Sequence, residues 1–338
     1  IRRWRKQKSE TLCYPRSMGN RSAGLRERIR SAAAVRSWPQ RVRSQLSALD
    51  DHVAALQEAV NSQAAVFEQL HDHVHQLTTV VDANNIWSQI QRGTDWAASA
   101  PLEATPLISV ILPTRNRSDR LNRAIDSIRA QSYPHWDLVI VNDGSTDDTD
   151  ITVTDALGAD ERIQSVSTAG IGGAGARNAG LGLARGAIVT FLDDDNTMTP
   201  HWLRAVAEFM GRNDQCQSIY GAQLRLPITS GASGAPDVLF VPEFDLDAFI
   251  VNNCVDLGMI AVRADHPQLH FDAELRSLQD WEMFTRVAAT TPVTPVPALA
   301  SCYSLAAPGR ITERHGGESA VIAMRERLRR TVAELQSD

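Results

Sequence analysis

Three consecutive aspartates, Asp193, Asp194 and Asp195, close the apolar run Ile188–Leu192. A short apolar run bounded by polar residues reads as a buried strand. In open α/β sheets, ligands gather beyond the carboxyl ends of such strands. Two carboxylates one residue apart can both reach a small divalent cation, which prefers oxygen ligands and retains waters and substrate phosphates. Asp193 and Asp195 are therefore a candidate pair for Mg2+ or Mn2+ carrying a diphosphate. The register Asp194/Asp195 stays open, and an acidic solvated loop would read the same way. A second stretch, Gly170-Ile-Gly-Gly-Ala-Gly175, resembles a dinucleotide fingerprint. That motif should directly follow a strand and precede a lone acid by about 20 residues. Asp193 lies near that distance but ends a strand beside two further aspartates, which argues against a dehydrogenase.

The elements that must position these residues alternate in type. Ile108–Leu112 is a β-rich run closed by Pro113, and Ser118 is an N-cap candidate for a helix reaching Gln131 with Leu121, Ile125 and Ile128 at helical spacing. Leu138–Val141 is the next strand, ended by Asn142-Asp143-Gly144-Ser145, and Ile163–Val166 the third. A helix from Ala174 to Ala184 leads into the strand before Asp193. Strands alternating with short helices imply a mostly parallel, Rossmann-like sheet covered on both faces. The last helix, Ser319–Gln336, is amphipathic.

The 338 residues carry a net charge of -6, yet basic residues crowd the stretch from Arg2 to Arg43 against only Glu10 and Glu27. Residues 1–43 read as a basic, disordered arm. Peripheral contact with an anionic membrane surface is its second reading, and nucleic acid is not expected, since no aromatics interleave the charges. No run approaches the roughly 18 apolar residues needed to span a bilayer. Cys13, Cys216, Cys254 and Cys302 are scattered without a Cys-x-x-Cys pair, which fits a reducing cytoplasm. The chain opens at Ile1 rather than methionine, which leaves the native start open.

Over residues 44–82, Leu46, Val53, Val60, Phe67, Val74 and Val81 take a positions, with Leu49, Leu56, Gln63, Leu70 and Leu77 at d. Valine at a with leucine at d favours a parallel two-stranded coiled coil, so a homodimer is expected through a helix about 54 Å long. The alternative is a helix lying on the following domain. Residues 83–106 lose the period and read as a linker marked by Pro101 and Pro106. The α/β domain then spans 107–315 and the last helix 316–338.

Five stretches in order, VILPTRNR (110–117), VNDGSTDDT (141–149), GARNAGLGLARG (175–186), FLDDDN (191–196) and QDWEMFTR (279–286), resemble the inverting family-two glycosyltransferases of the GT-A fold. The resemblance covers residues 107 to 290, about half the chain, and leaves out the arm and the heptads. It implies a nucleoside-diphosphate sugar donor, UDP- or dTDP-linked, and a glycan or lipid-linked acceptor in polysaccharide or cell-envelope synthesis. By resemblance, Pro113, Thr114 and Arg115 form the nucleotide-binding turn, Asp143 takes the base or ribose edge, and Arg177 faces the nucleotide. Asp193 faces the ribose or the metal, and Asp195 ligates the metal. Asp280 is the implied general base, able to take the proton of an acceptor hydroxyl. Structural alternatives stand beside these: a turn aspartate before Gly144, a solvated Arg177, and an N-cap role for Asp280 ahead of a helix Trp281–Ala288. Gln279 stands where the family often has an acid, and Trp281 is either an acceptor platform or a core indole. Arg310, Arg314 and His315 fall in a stretch resembling the family's mobile loop. Two other classes remain, a sugar nucleotidyltransferase and a non-catalytic nucleotide-binding coiled-coil scaffold. The first normally has a glycine-rich basic turn at its first strand, which Pro113-Thr114-Arg115-Asn116 lacks.

Overall fold

Strand β1, Ile108–Thr114, is almost wholly buried, and β2, Trp136–Asp143, is buried along its full length. Strands covered on both faces lose the apolar–polar alternation of half-exposed ones, which is why these segments read as continuous apolar runs. Between them, helix α2, Ser118–Arg129, turns Leu121, Ala124, Ile125 and Ile128 onto the sheet. The remaining crossovers are α3 (Thr149–Ala159), β3 (Ile163–Thr168), α4 (Gly172–Leu181) and β4 (Ile188–Phe191). The order β3-β2-β1-β4 is parallel throughout, with chain direction across the sheet reversing at β1. The computed structural model describes residues 39–226, 237–304 and 317–337. Most of the expected basic arm, and Arg310, Arg314 and His315, lie outside them.

The second half of the domain adds β5 (Asn196–Met198), α5 (Trp202–Gly211), β6 (Ser218–Leu226), β7 (Asp237–Leu239), α6 (Leu246–Val251) and β8 (Ile260–Arg263). Helix α7 (Gln279–Thr290), strand β9 (Val293–Ser304) and helix α8 (Glu318–Ser337) complete it. The path continues β4-β8-β6-β9-β5, with β7 on β6. Here β8 runs antiparallel to both β4 and β6, and β5 antiparallel to β9, while β6 and β9 are parallel. The parallel expectation thus describes the first four strands, and mixed strands extend the sheet beyond them. Two apolar clusters cover its faces, one under α2 and α5, the other under α4, α7 and α8.

Residues 83–106 correct the sequence reading. Helix α1 runs unbroken from Gln40 to Ser99, so the expected linker is helical up to Ser99. The apolar period does not end there; it changes phase, to Ile86, Ile90, Gly93 and Ala97. Ile90 and Ala97 are fully buried. Leu299 N donates to Thr94 Oγ1 at 3.0 Å, and Trp96 meets Phe209 edge-on at 5.2 Å. A Cβ at Gly93 would fall 1.8 Å from the Pro297 carbonyl oxygen, so only glycine allows this approach of helix to strand. The chain divides into two compact units, residues 1–80 and 81–338. In the first unit the heptad residues Leu49, Leu56 and Val60 are 61%, 65% and 63% exposed.

Candidate active site

The parallel register places the three aspartates. Ile111 pairs with Phe191, and Leu192 N donates to Ile111 O at 3.0 Å, so continuing the chain brings Asp194 level with Thr114. Thr114 Oγ1 donates to Asp194 Oδ2 at 2.8 Å, and Arg117 Nη1 reaches both Asp194 Oδ1 and Asp195 Oδ2 at 2.9 Å. Burial pushes the Asp194 carboxyl up to about 6, against the opposing pull of Arg117. Asp194 is therefore an internal strut between the ends of β1 and β4. The two aspartates beside it stay partly exposed, at 35% for the Asp193 side chain and 14% for Asp195.

At the end of β2, Asp143 is turned onto the glycine-rich turn. Its Oδ1 accepts from Thr168 Oγ1 at 2.6 Å and from Ile171 N at 2.7 Å, and its Oδ2 from Gly172 N at 2.8 Å. The turn needs φ of +78° at Gly170 and +85° at Gly172, values that side-chain-bearing residues rarely adopt. The Arg115 guanidinium lies against Gly170, close enough that an added Cβ would stand 3.2 Å from it. Asn116, itself left-handed, ties the β1 turn to the β2 turn: its N donates to Ser145 Oγ at 2.9 Å and its Oδ1 accepts from Thr146 N at 2.7 Å.

Arg177 joins the two sides of the cleft. From α4, its Nη2 donates to Asp193 Oδ1 at 2.7 Å and its Nη1 to Gln279 Oε1 at 3.0 Å. Burial opposes its charge, but Asp193, Asp280 and Asp256 outweigh that and hold the guanidinium more firmly protonated than usual. Its reading as a solvated arginine is excluded. The next residue, Asn178, clamps Phe271 through both backbone groups, at 2.7 and 2.8 Å, and Phe271 meets Phe191 edge-on. Between the glycine turn and residues 273–276 opens a cavity of about 560 Å³, with Gln279 on its wall.

Helix α7 begins at Gln279, two residues earlier than expected: Leu278, at φ +59°, is the N-cap, so Asp280 sits in the first turn and is not the cap. Burial raises the Asp280 carboxyl above the usual carboxylate range; Arg177 works against the shift and Asp193 with it. The helix is anchored behind the site by the buried pair Arg286 Nε–Glu282 Oε1 at 2.8 Å and by Arg286 bonds to the carbonyls of Gln268 and His270. Trp281 is buried and donates Nε1 to Phe249 O at 2.9 Å, so it is a core indole and no sugar platform. Two residues were missed from sequence. Arg117 lies inside a quoted motif, two positions beyond the arginine singled out. Asp256, just before β8, carries no local signal, yet burial and the charges of Asp280 and Asp193 push its carboxyl up to about 6.

Among the described residues no group of three metal-binding side chains converges. A small hard cation nevertheless needs only one or two carboxylates when phosphates complete its shell. Asp193 and Asp195 offer that donor set, each already balanced by a guanidinium. The residues therefore fit a cation that arrives with a diphosphate, not one caged by protein alone.

Residues 109–242 match the model of glycosyl transferase family 2. A putatively named teichuronic acid biosynthesis glycosyltransferase, TuaG of Bacillus subtilis, is 38% identical over 120 residues, 35% of this chain and 48% of that protein. The colanic acid biosynthesis glycosyl transferase WcaA of Escherichia coli, also named as putative, is 27% identical over 198 residues, 55% of this chain and 67% of its own. This chain thus spans about half the length of the first of these and two thirds of the second. The fold is similar to that of S. aureus TarS residues 1–349 in complex with UDP-GlcNAc, with a TM-score of 0.53 at 18% identity, over 68% of this chain and 71% of that one.

Proposed function

Residues 109–242 belong to glycosyl transferase family 2, and from that premise we propose that the chain transfers a sugar, with inversion, from a UDP- or dTDP-linked donor to a hydroxyl of a glycan or lipid-linked acceptor. The relatives named for teichuronic and colanic acid support a place in polysaccharide or cell-envelope synthesis. The observation that carries the reading is Arg177. One side chain holds Asp193 at the end of β4 and Gln279 beside Asp280 at the start of α7. Groups suited to a leaving diphosphate and a group suited to an incoming hydroxyl are thereby fixed around one centre.

In the proposed reaction the acceptor oxygen attacks the anomeric carbon opposite the diphosphate. Asp280 takes the hydroxyl proton, the bond to the β-phosphate oxygen breaks, and its electron pair leaves with the nucleoside diphosphate. Arg177 meets the charge that develops there. Mg2+ or Mn2+, when bound, adds Lewis-acid stabilisation of the same charge, and Asp193 and Asp195 are the residues that would hold it. Thr114, Asp143 and the Arg115 turn shape the nucleotide side.

Calorimetric titration of UDP, dTDP, GDP and CDP, each with and without Mn2+, tests the donor half. Binding of UDP or dTDP that requires the metal and is lost in Asp195→Ala is expected. Failure of all four nucleotides to bind would reject the reading, and the nucleotide-binding scaffold alternative with it.

The heptads support a homodimer. Their exposed Leu49, Leu56 and Val60 have the spacing of a two-stranded seam. The double variant Leu49→Glu, Leu56→Glu is expected to halve the mass seen by light scattering. A mass equal to one chain in the wild type would end this proposal.

A further inference from the structure

Gln279 lies on the wall of the cavity beside the glycine turn. We infer that it is a positioning residue whose amide fixes the Arg177 guanidinium toward the diphosphate, a role that a carboxylate cannot fill and that rests on the donor reading above. The residue is only 7% exposed, and both ends of its amide are used. Its Oε1 accepts from Arg177 Nη1 at 3.0 Å, and its Nε2 donates to Leu275 O at 2.5 Å. A guanidinium only donates and a carbonyl only accepts, so the two partners fix which way the amide points. An ionised glutamate could take the arginine, but it would turn lone pairs toward the Leu275 carbonyl.

The far end of this bridge stands on fixed ground. Leu275 N donates to Asp272 O at 3.2 Å, and Glu274 N to Asp272 Oδ1 at 2.8 Å. Asp272 Oδ2 in turn accepts from Arg327 of α8. A run of bonds therefore leads from α8 through the cavity wall and Gln279 to Arg177, and on to Asp193 at 2.7 Å. Gly173, on the same wall, leaves the bridge its room: an added Cβ would stand 3.0 Å from Arg177 Nη1 and 3.2 Å from Gln279 Oε1. With Nη2 held by Asp193 and Nη1 by Gln279, the guanidinium plane is set from two sides. Only one of these partners is charged, so the second orients the arginine without cancelling the charge that a diphosphate meets.

Titrations of UDP in the presence of Mn2+ compare the full-length wild type with Gln279→Met, Gln279→Glu and Gly173→Ala, and repeat Gln279→Met in Arg177→Lys. Gln279→Met keeps the volume and Gln279→Glu keeps an acceptor. Each should weaken UDP about tenfold, the scale of one hydrogen bond to a charged group. Lysine has no planar fork to orient, so beside Arg177→Lys the methionine should cost no more than about twofold further, the mark of two residues acting as a unit. A residue that only props the cavity wall would cost as much beside lysine as beside arginine. Gly173→Ala removes no bonding group, alanine favours helix, and Gly173 lacks the left-handed φ of Gly172. It should nevertheless weaken UDP several-fold, because its methyl presses on the bridge. Wild-type UDP affinity in Gln279→Glu or in Gly173→Ala, or equal losses from Gln279→Met in the two backgrounds, would overturn the inference and leave the donor reading standing. Absence of UDP binding by the wild type would remove that reading and this inference together.

Discussion

Asp280→Asn should lower the rate of sugar transfer by about 10²–10⁴-fold, the usual share of a positioned general base, while nucleotide affinity stays within about twofold. The separation follows from where the residue sits. Arg177 bonds Asp193 and Gln279, not Asp280, so the donor side keeps its contacts when the acid becomes an amide. The pH dependence sharpens the test. Burial raises the Asp280 carboxyl, and a base must be ionised to act. Wild-type kcat/KM is therefore expected to fall on the acidic side through a pKa above the ordinary carboxylate range, and that limb should vanish in the variant. Stability moves with the opposite sign. A carboxyl raised in the folded state binds protons more tightly folded than unfolded, so its contribution falls as pH rises from the unfolded to the folded pKa. Above that window the ionised acid is a cost that asparagine does not carry, and the melting temperature of Asp280→Asn at neutral pH should not drop. Wild-type turnover in the variant, or loss of transfer accompanied by equal loss of UDP binding, would remove Asp280 as the base.

The legible part of this site is the part built by local rules. Thr114, Asp143 and Asp193 end parallel strands, and strand, turn and helix follow one another within a few residues, so the motif positions and the sheet could be read together. Asp194 shows the limit of that reading. Its inward orientation depends on Arg117 across 77 residues of chain, and three identical side chains in a row carry no mark of which one is buried. Arg177 and Gln279 meet across 102 residues, so sequence treated them separately, the arginine as facing the nucleotide or solvated and the glutamine as a missing acid. Asp256 was harder still. Its place depends on β6, β8 and β9 lying side by side, pairings between distant segments that no periodicity encodes. The linker failed for a different reason. A heptad count stops when its register breaks, yet from Ile86 the helix keeps an apolar face in a new phase, the one that buries Ile90 and Ala97.

Arg177→Met should do more damage than any other single change on the donor side. The buried guanidinium offsets Asp193, Asp280 and Asp256 together, and methionine fills similar space without charge or donors. Nucleotide affinity is expected to fall on the order of tenfold to a hundredfold, since a charge-assisted contact to the diphosphate is worth about 1.5–3 kcal/mol. With its cation gone, Asp280 should hold its proton more tightly, and the acidic limb of kcat/KM should move to higher pH. Arg177→Lys distinguishes charge from geometry. An ammonium supplies the charge but not the planar fork that spans Asp193 and Gln279 at once. The limb should therefore return most of the way to its wild-type position in Arg177→Lys, while nucleotide affinity remains depressed. A limb that stays at the wild-type pH in Arg177→Met would mean that Asp280 does not sense this guanidinium. Full recovery of affinity in Arg177→Lys would mean that the bridge to Gln279 is incidental, and that the arginine serves the donor as a point charge.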